Sequence, residues 1–154
     1  MTTRYRFEHA WSLPLRRDRL FEVLADVAGY PDWWPQVRAV ARVDDDTAHV
    51  VVRSALPYSL DLTLVRAVED PVAGVLEARV QGRLDGWSRW TMRGAGSSTW
   101  LRYEQEVTAR GRLMKVGSRF ARSLLVANHD AMMRGAREGL LGLGAHARSS
   151  AGRW

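Results

Sequence analysis

Charged and apolar side chains alternate from Thr3 to Leu13, which puts Tyr5, Phe7, His9 and Trp11 on one face of an extended chain and predicts a half-buried strand. Pro14 stops it. The run Arg16-Arg17-Asp18-Arg19 opens a helix in which Leu20, Phe21, Leu24 and Val27 recur at helical spacing, and Gly29 can end it. Tyr30-Pro31-Asp32-Trp33-Trp34-Pro35 holds two prolines in six residues, a short broken segment rather than a long helix.

Beyond this point strands are predicted over Val37–Val43, His49–Ser54, Tyr58–Val68, Val75–Gln81, Leu84–Met92 and Thr99–Thr108. Turn signals separate them: Asp44-Asp45-Asp46, Leu56-Pro57, Glu69-Asp70-Pro71 with Gly74, Gly82, and Gly94-Ala95-Gly96. With the first strand this makes about seven, and turns alone connect the later ones, so they are expected to be antiparallel neighbours. Their alternation marks an inner face: Tyr58, Leu60, Leu62 and Leu64, then Leu76, Ala78 and Val80, then Leu84, Ser88, Trp90 and Met92, and last Leu101, Tyr103, Gln105 and Val107.

From about Leu113 to Leu143 the period becomes helical. Lys115, Arg119, Arg122 and Arg137 fall on one side, and Gly117, Phe120, Leu124, Ala127, Asn128, Ala131 and Gly135 on the other, with Asn128 at the centre of the inward face. A run of this length leaves room for a break near Gly135 or Gly139, and residues 147–154 are expected to be a flexible tail. The expected architecture is therefore one α+β domain over residues 1–146, a curved antiparallel sheet around a long C-terminal helix. The small inward residues of that helix permit either close backbone packing or an unfilled space beneath it.

Composition narrows the picture. A chain of 154 residues with 46% apolar residues can bury a sizeable core. The absence of cysteine excludes disulfides and thiolate chemistry. No signal peptide and no run near 20 apolar residues is visible, so a cytoplasmic location is expected. The net charge of +6 is uneven: residues 110–154 carry nine basic and two acidic side chains. That end could attract nucleic acid or an anionic membrane, through Lys115, Arg119, Arg122 and Arg137 beside an exposed Val126 and Met133. A solvated helix face in an arginine-rich chain explains it more simply, and nucleic-acid binding is not expected.

The candidate chemistry lies on the inner face. Tyr58, Ser88, Trp90, Tyr103, Gln105 and Asn128 bring polar tips into an apolar space, where each needs a partner if dry. A pocket of that kind suits a hydrophobic ligand with a few oxygens. The Trp33–Trp34 pair either closes the core edge with one ring and lines or lids an opening with the other, or serves packing alone. Arg53 is placed either to reach an anionic ligand group or to pair with Asp61. His129 and Asp130, about 100° apart on a helix, cannot form a base–orienter pair with each other, so a capping, surface or packing role is expected for His129, with a general base for proton abstraction as the lesser alternative. The histidines at 9, 49, 129 and 146 lack metal spacing, and GxSxG, GxGxxG and phosphate-loop motifs are absent, so no cofactor or metal is expected. Glu104 and Glu106 look like solvated strand residues.

Several segments carry a family resemblance: Trp34-Pro-Gln-Val-Arg, Gly82-Arg-Leu-Asp-Gly-Trp-Ser-Arg-Trp, Tyr103-Glu-Gln-Glu-Val, and Asn128-His-Asp-Ala-Met-Met-Arg-Gly-Ala-Arg-Glu-Gly-Leu. With the order of elements, they make residues 3 to about 143 resemble the START-like helix-grip superfamily, in the bacterial branch of polyketide cyclases, dehydrases and lipid-transport proteins. The resemblance implies a deep cavity between sheet and helix. Its walls would include Tyr58, Leu60, Leu62, Trp90, Tyr103, Phe120, Leu124 and Asn128, with Trp33, Trp34 and the Leu56–Tyr58 loop near an entrance. Two functions stay open: a binder of a lipid or aromatic polyketide, and a cyclase, aromatase or dehydratase acting on one. The oligomeric state is open between monomer and dimer, with the first or fourth strand as a possible pairing edge.

Overall fold

The computed structural model describes residues 3–53, 59–109 and 118–151, with the side chains of the C-terminal helix described from Arg122 to His146. The chain runs β1 (Thr3–Leu13), α1 (Arg17–Ala25), a 3₁₀ turn (Val27–Gly29), α2 (Tyr30–Trp33), β2 (Val37–Arg42), β3 (Thr47–Arg53), β4 (Ser59–Asp70), β5 (Val75–Gly82), β6 (Leu84–Ala95), β7 (Ser98–Ala109) and α3 (Ser118–Ala151). The seven strands form one sheet in the order β1-β7-β6-β5-β4-β3-β2, and every neighbouring pair is antiparallel. β1 and β2 are the edges, so the fourth strand lies inside the sheet and offers no edge for pairing. Register shifts between Val37 and Ala39 and between Arg66 and Val68 are bulge-like irregularities, which bend strands and strengthen their twist.

The alternation of the strands is realised as burial. Leu60, Leu76, Val80, Leu84, Trp90, Met92, Leu101, Tyr103 and Val107 are buried on the concave side. On the convex side, charges stitch four strands together. Glu8 of β1 pairs with Arg102 of β7 at 2.7 Å, Glu104 of β7 lies 3.7 Å from Arg89 of β6, and Arg89 pairs with Glu77 of β5 at 2.7 Å. Glu104 is buried rather than solvated, because Arg6 of β1, Arg89 of β6 and Arg102 of its own strand surround its carboxylate, although its direct partner on β1 is Glu8.

α3 runs unbroken through Gly135 and Gly139 to Ala151, past the expected end near Leu143. Its buried stripe differs from the expected one. His129, Met133, Ala136 and Leu140 face inward, whereas Leu124 is 40% exposed and Ala127 is also exposed. Met133, expected on the surface, is 1% exposed. The helix has two candidate stripes about one residue out of phase, and the bulkier one wins because it removes more apolar area from water. Gly117 and Lys115 lie outside the described residues.

The glycines of α3 admit a second helix rather than the sheet. A Cβ at Gly139 would overlap the Trp33 carbonyl oxygen, and one at Gly135 would overlap the Gln36 side chain. Trp34 Nε1 donates to the Met132 carbonyl oxygen at 2.9 Å and Gln36 Nε2 to that of Ala131 at 3.4 Å. The α2–β2 junction is thereby pinned to the middle of α3. Gly139→Ala is expected to destabilise the chain by about 1–3 kcal/mol through overpacking, lowering Tm by several degrees. Gly142→Ala on the open side of the same helix, where no atom lies within 4 Å of the added Cβ, is expected to be neutral or stabilising. Thermal unfolding of the two variants side by side checks this, and equal Tm values would refute the close contact.

Candidate functional site

Between the concave face and the α1–α2–α3 layer lies a cavity of about 280 Å³. Aliphatic side chains of β2 to β5 (Val40, Val50, Val52, Leu60, Leu62, Leu64, Leu76 and Val80) form one wall. Aromatic rings from β1, from α2 and the residue that follows it, and from β6 and β7 form another: Tyr5, Phe7, Tyr30, Trp34, Trp90 and Tyr103. Leu125, Asn128, His129 and Met132 of α3 close it. At the end beside the β2–β3 turn the lining changes to exposed, charged Arg42, Asp44–Asp46, Arg66 and Glu69, which marks the solvent-facing mouth.

The rings are continuous with one another. Trp34 meets Trp90 edge-on at 6.2 Å, Trp90 meets Tyr103 at 4.5 Å, and Tyr103 stacks near His129 at 5.9 Å. Phe7 lies face to face with the His129 imidazole at 3.8 Å and 9°. Such aromatic pairs stabilise by about 0.5–1.5 kcal/mol each beyond area burial, so they hold the wall stiff. Tyr30 is anchored separately: its hydroxyl donates to the Leu24 carbonyl oxygen at 2.6 Å.

One polar cluster interrupts this apolar lining. The Tyr103 hydroxyl donates to Gln105 Oε1 at 2.8 Å, and His129 Nε2 lies 3.0 Å from the same oxygen. Since an amide oxygen only accepts, the imidazole bears its proton on Nε2, and Nδ1 is a bare lone pair. Nδ1 is buried and has no hydrogen-bond partner. Burial, and then the nearby His9, push the His129 pKa down from 6.5 to about 3, so the ring is neutral at ordinary pH. Burial likewise raises the Tyr103 phenol above its ordinary value, with Ser88 opposing through a hydrogen bond.

Of the residues singled out in the sequence, Trp34, Leu60, Leu62, Trp90, Tyr103 and Asn128 line the cavity. Trp33 does not: it is buried and stacked on Trp34 at 5.5 Å, with its carbonyl against α3. Arg53 ends β3 exposed and off the lining, because its position in the strand alternation points it outward. Leu124 is corrected in the same way by the phase of α3. Tyr58, and the side chain of Phe120, lie outside the described residues. His129 is the residue that sequence reasoning underrated. Its signal was present in the heptad-like run His129, Met132, Met133, Ala136, Leu140, which outranks the stripe of smaller residues in buried volume.

Among the described residues no helix is long and apolar enough to cross a membrane. A family described as polyketide cyclase / dehydrase and lipid transport matches residues 13–128. No curated protein sequence matches the chain. Among solved structures, the Zhui aromatase/cyclase from Streptomyces sp. R1128 superposes with a TM-score of 0.84 at 22% identity, covering 99% of this chain and 100% of its own. A START superfamily protein from Mycobacterium smegmatis gives 0.72 at 14% identity, covering 92% and 98%. The di-domain ARO/CYC BexL from the BE-7585A biosynthetic pathway gives 0.66 at 14%, with 88% of this chain matching 46% of that one. These likenesses establish the helix-grip, START-like fold.

His129 stays unprotonated in the folded chain until the pH approaches about 3, whereas the unfolded chain takes up a proton near 6.5. Its contribution to stability is therefore complete above about pH 6.5. It is lost as the pH falls toward 3, at up to about 1.4 kcal/mol per pH unit. Urea midpoints across this range are expected to fall with acid in the wild type and to fall less in His129→Phe. An imidazole resonance of His129 that titrates near 6.5 in the folded protein would refute the neutral buried ring.

Proposed function

Because the chain belongs to the polyketide cyclase / dehydrase and lipid transport family, we propose that it binds a compact hydrophobic molecule bearing a few oxygen atoms, an aromatic polyketide or a small lipid, in the cavity between sheet and α3. One observation carries this reading: an apolar, ring-lined cavity of about 280 Å³ with a single convergent polar cluster, Tyr103–Gln105–His129. The volume lies near the lower end of the ~300–1,000 Å³ common for small-molecule sites, which favours one ring system or a single short chain over a two-chain lipid. Three flat faces, Trp34, Trp90 and Tyr103, offer stacking to aromatic guests. The Gln105 amide, held by the Tyr103 hydroxyl and His129 Nε2, supplies orientation.

A second reading is cyclisation or dehydration of the guest, with the His129 imidazole of the cavity lining as base. The base would take a proton from the carbon beside a carbonyl and return it to a departing hydroxyl as water. The likeness to an aromatase/cyclase over the whole length of both chains supports it. Magnitude weighs against it. A base whose conjugate acid has a pKa of about 3 forgoes roughly 5 kcal/mol of proton-transfer driving force relative to one poised at neutrality. The Tyr103 proton is also engaged by Gln105. Binding is therefore the stronger reading, and any chemistry would rest on the shape imposed on a reactive chain.

Ala78 lines the cavity with open space before it, so Ala78→Phe fills the volume without removing a polar partner. Naphthol- and anthraquinone-type probes are expected to quench tryptophan fluorescence in the wild type and to lose at least tenfold in affinity in Ala78→Phe. Unchanged affinity would place the guest elsewhere and overturn the reading. Conversion of a poly-β-ketone probe to cyclised or dehydrated product by wild type, but not by His129→Phe, would establish the second reading instead.

A further inference from the structure

We propose that His9, His129 and Asp130 form a binding site for one divalent transition-metal ion of the zinc class, on the seam where α3 crosses β1. One donor atom from each of the three lies within 4.8 Å of the others, although the residues come from opposite ends of the chain. His9 Nε2 is 3.7 Å from Asp130 Oδ1. The two imidazole centroids are 5.4 Å apart with planes 27° from parallel. Two imidazoles on one tetrahedral ion, each nitrogen ~2.0–2.1 Å from it, would have centroids roughly 5 Å apart. The rings already stand near that spacing.

An independent observation points to a ligand. His129 is 7% exposed, its Nε2 is engaged by Gln105, and Nδ1 is buried without a partner. A buried acceptor left unmade costs about 1–3 kcal/mol, and a bound cation would remove that cost. The arrangement is also that of a metal-ligating histidine, in which one nitrogen meets the ion and the other donates to an oxygen that fixes the ring. Phe7, face to face with the same imidazole, holds its plane.

The ion would not need to pass through the ligand cavity. A separate groove, lined by His9, Trp11, Asp130, Met133, Arg134 and Arg137, opens from solvent onto His9 and Asp130, and the Asp130 side chain is 50% exposed. Three protein ligands leave the fourth position open to water or to an anion from that groove. Arg134 and Arg137 repel cations in general. Binding must then come from imidazole coordination, which suits zinc, nickel and copper and not magnesium or calcium.

The test uses the chelator-stripped full chain with Co²⁺ and Zn²⁺. Expected results are one ion per chain by plasma mass spectrometry after dialysis, visible d–d bands with Co²⁺, and no retention of Mg²⁺. His9→Ala and Asp130→Asn, both at partly exposed positions, are expected to weaken the affinity at least about tenfold while circular dichroism stays unchanged. Lack of retained metal in the wild type at about 0.1 mM free ion would overturn the proposal. So would undiminished binding in both variants, which would locate the ion elsewhere, for example at His49 or His146. The readouts are independent of any small-molecule ligand.

Discussion

Six inter-strand spacings of about 4.8 Å make a seven-stranded sheet nearly 30 Å wide, whereas a helix with its side chains is only about 10–12 Å across. One α3 cannot cover such a surface. The sheet responds by bending, so that its edge strands β1 and β2 approach opposite sides of the helix. α3 is then gripped where it touches: against β1 on one side and against the α2–β2 junction on the other. α1 packs on part of β6 and β7, and the rest of the middle strands is left without close helix cover. The cavity is this remainder, and α1 and the 3₁₀ turn only narrow it.

The grip must be strong where it exists because it is narrow. Gly135 and Gly139 bring α3 to backbone distance of Trp33 and Gln36, and Trp34 adds a side-chain bond to the Met132 carbonyl. Trp33 and Trp34 divide the work by position. Adjacent residues leaving a four-residue helix point in different directions, so the first ring seats on α3 and the second continues into the cavity wall. Removing the small residues would cost the contact, and adding bulk to the wall would cost the cavity.

The strands were legible because alternation and turn residues are local signals, and each strand's inner face followed from parity alone. From Leu60 to Val107 the residues of that parity face the concave side, and Leu60, Leu62, Trp90 and Tyr103 among them line the cavity. The helix was legible as an element and not in its phase. Asn128 and His129 are neighbours, and the stripes that contain them both repeat at helical spacing, so the choice depends on which one meets the sheet. That is tertiary information. Glu104 shows the same limit: nothing within β7 says that arginines from β1 and β6 will surround it. The pairing of His9 with Asp130, and of His129 with Gln105, joins segments whose approach only the closed fold determines.

His129 is the point at which two environments share one side chain. Its Nε2 belongs to the cavity, through Gln105 and the Tyr103 hydroxyl; Nδ1 is the nitrogen left facing no partner, in a cluster with His9 and Asp130. An imidazole is rigid, and Phe7 packed flat on it forbids rotation out of plane without breaking a contact of 3.8 Å. The ring can therefore move only as a unit in its own plane. Any pull on Nδ1 from the seam must lengthen or shorten the bond from Nε2 to Gln105, and with it shift the Gln105 amide in the cavity lining. A helix seated on a cavity needs some polar group to define where it sits along the sheet, since apolar contacts permit sliding. Here that group also touches the site, so the registration of α3 and the polarity of the cavity are one structural variable.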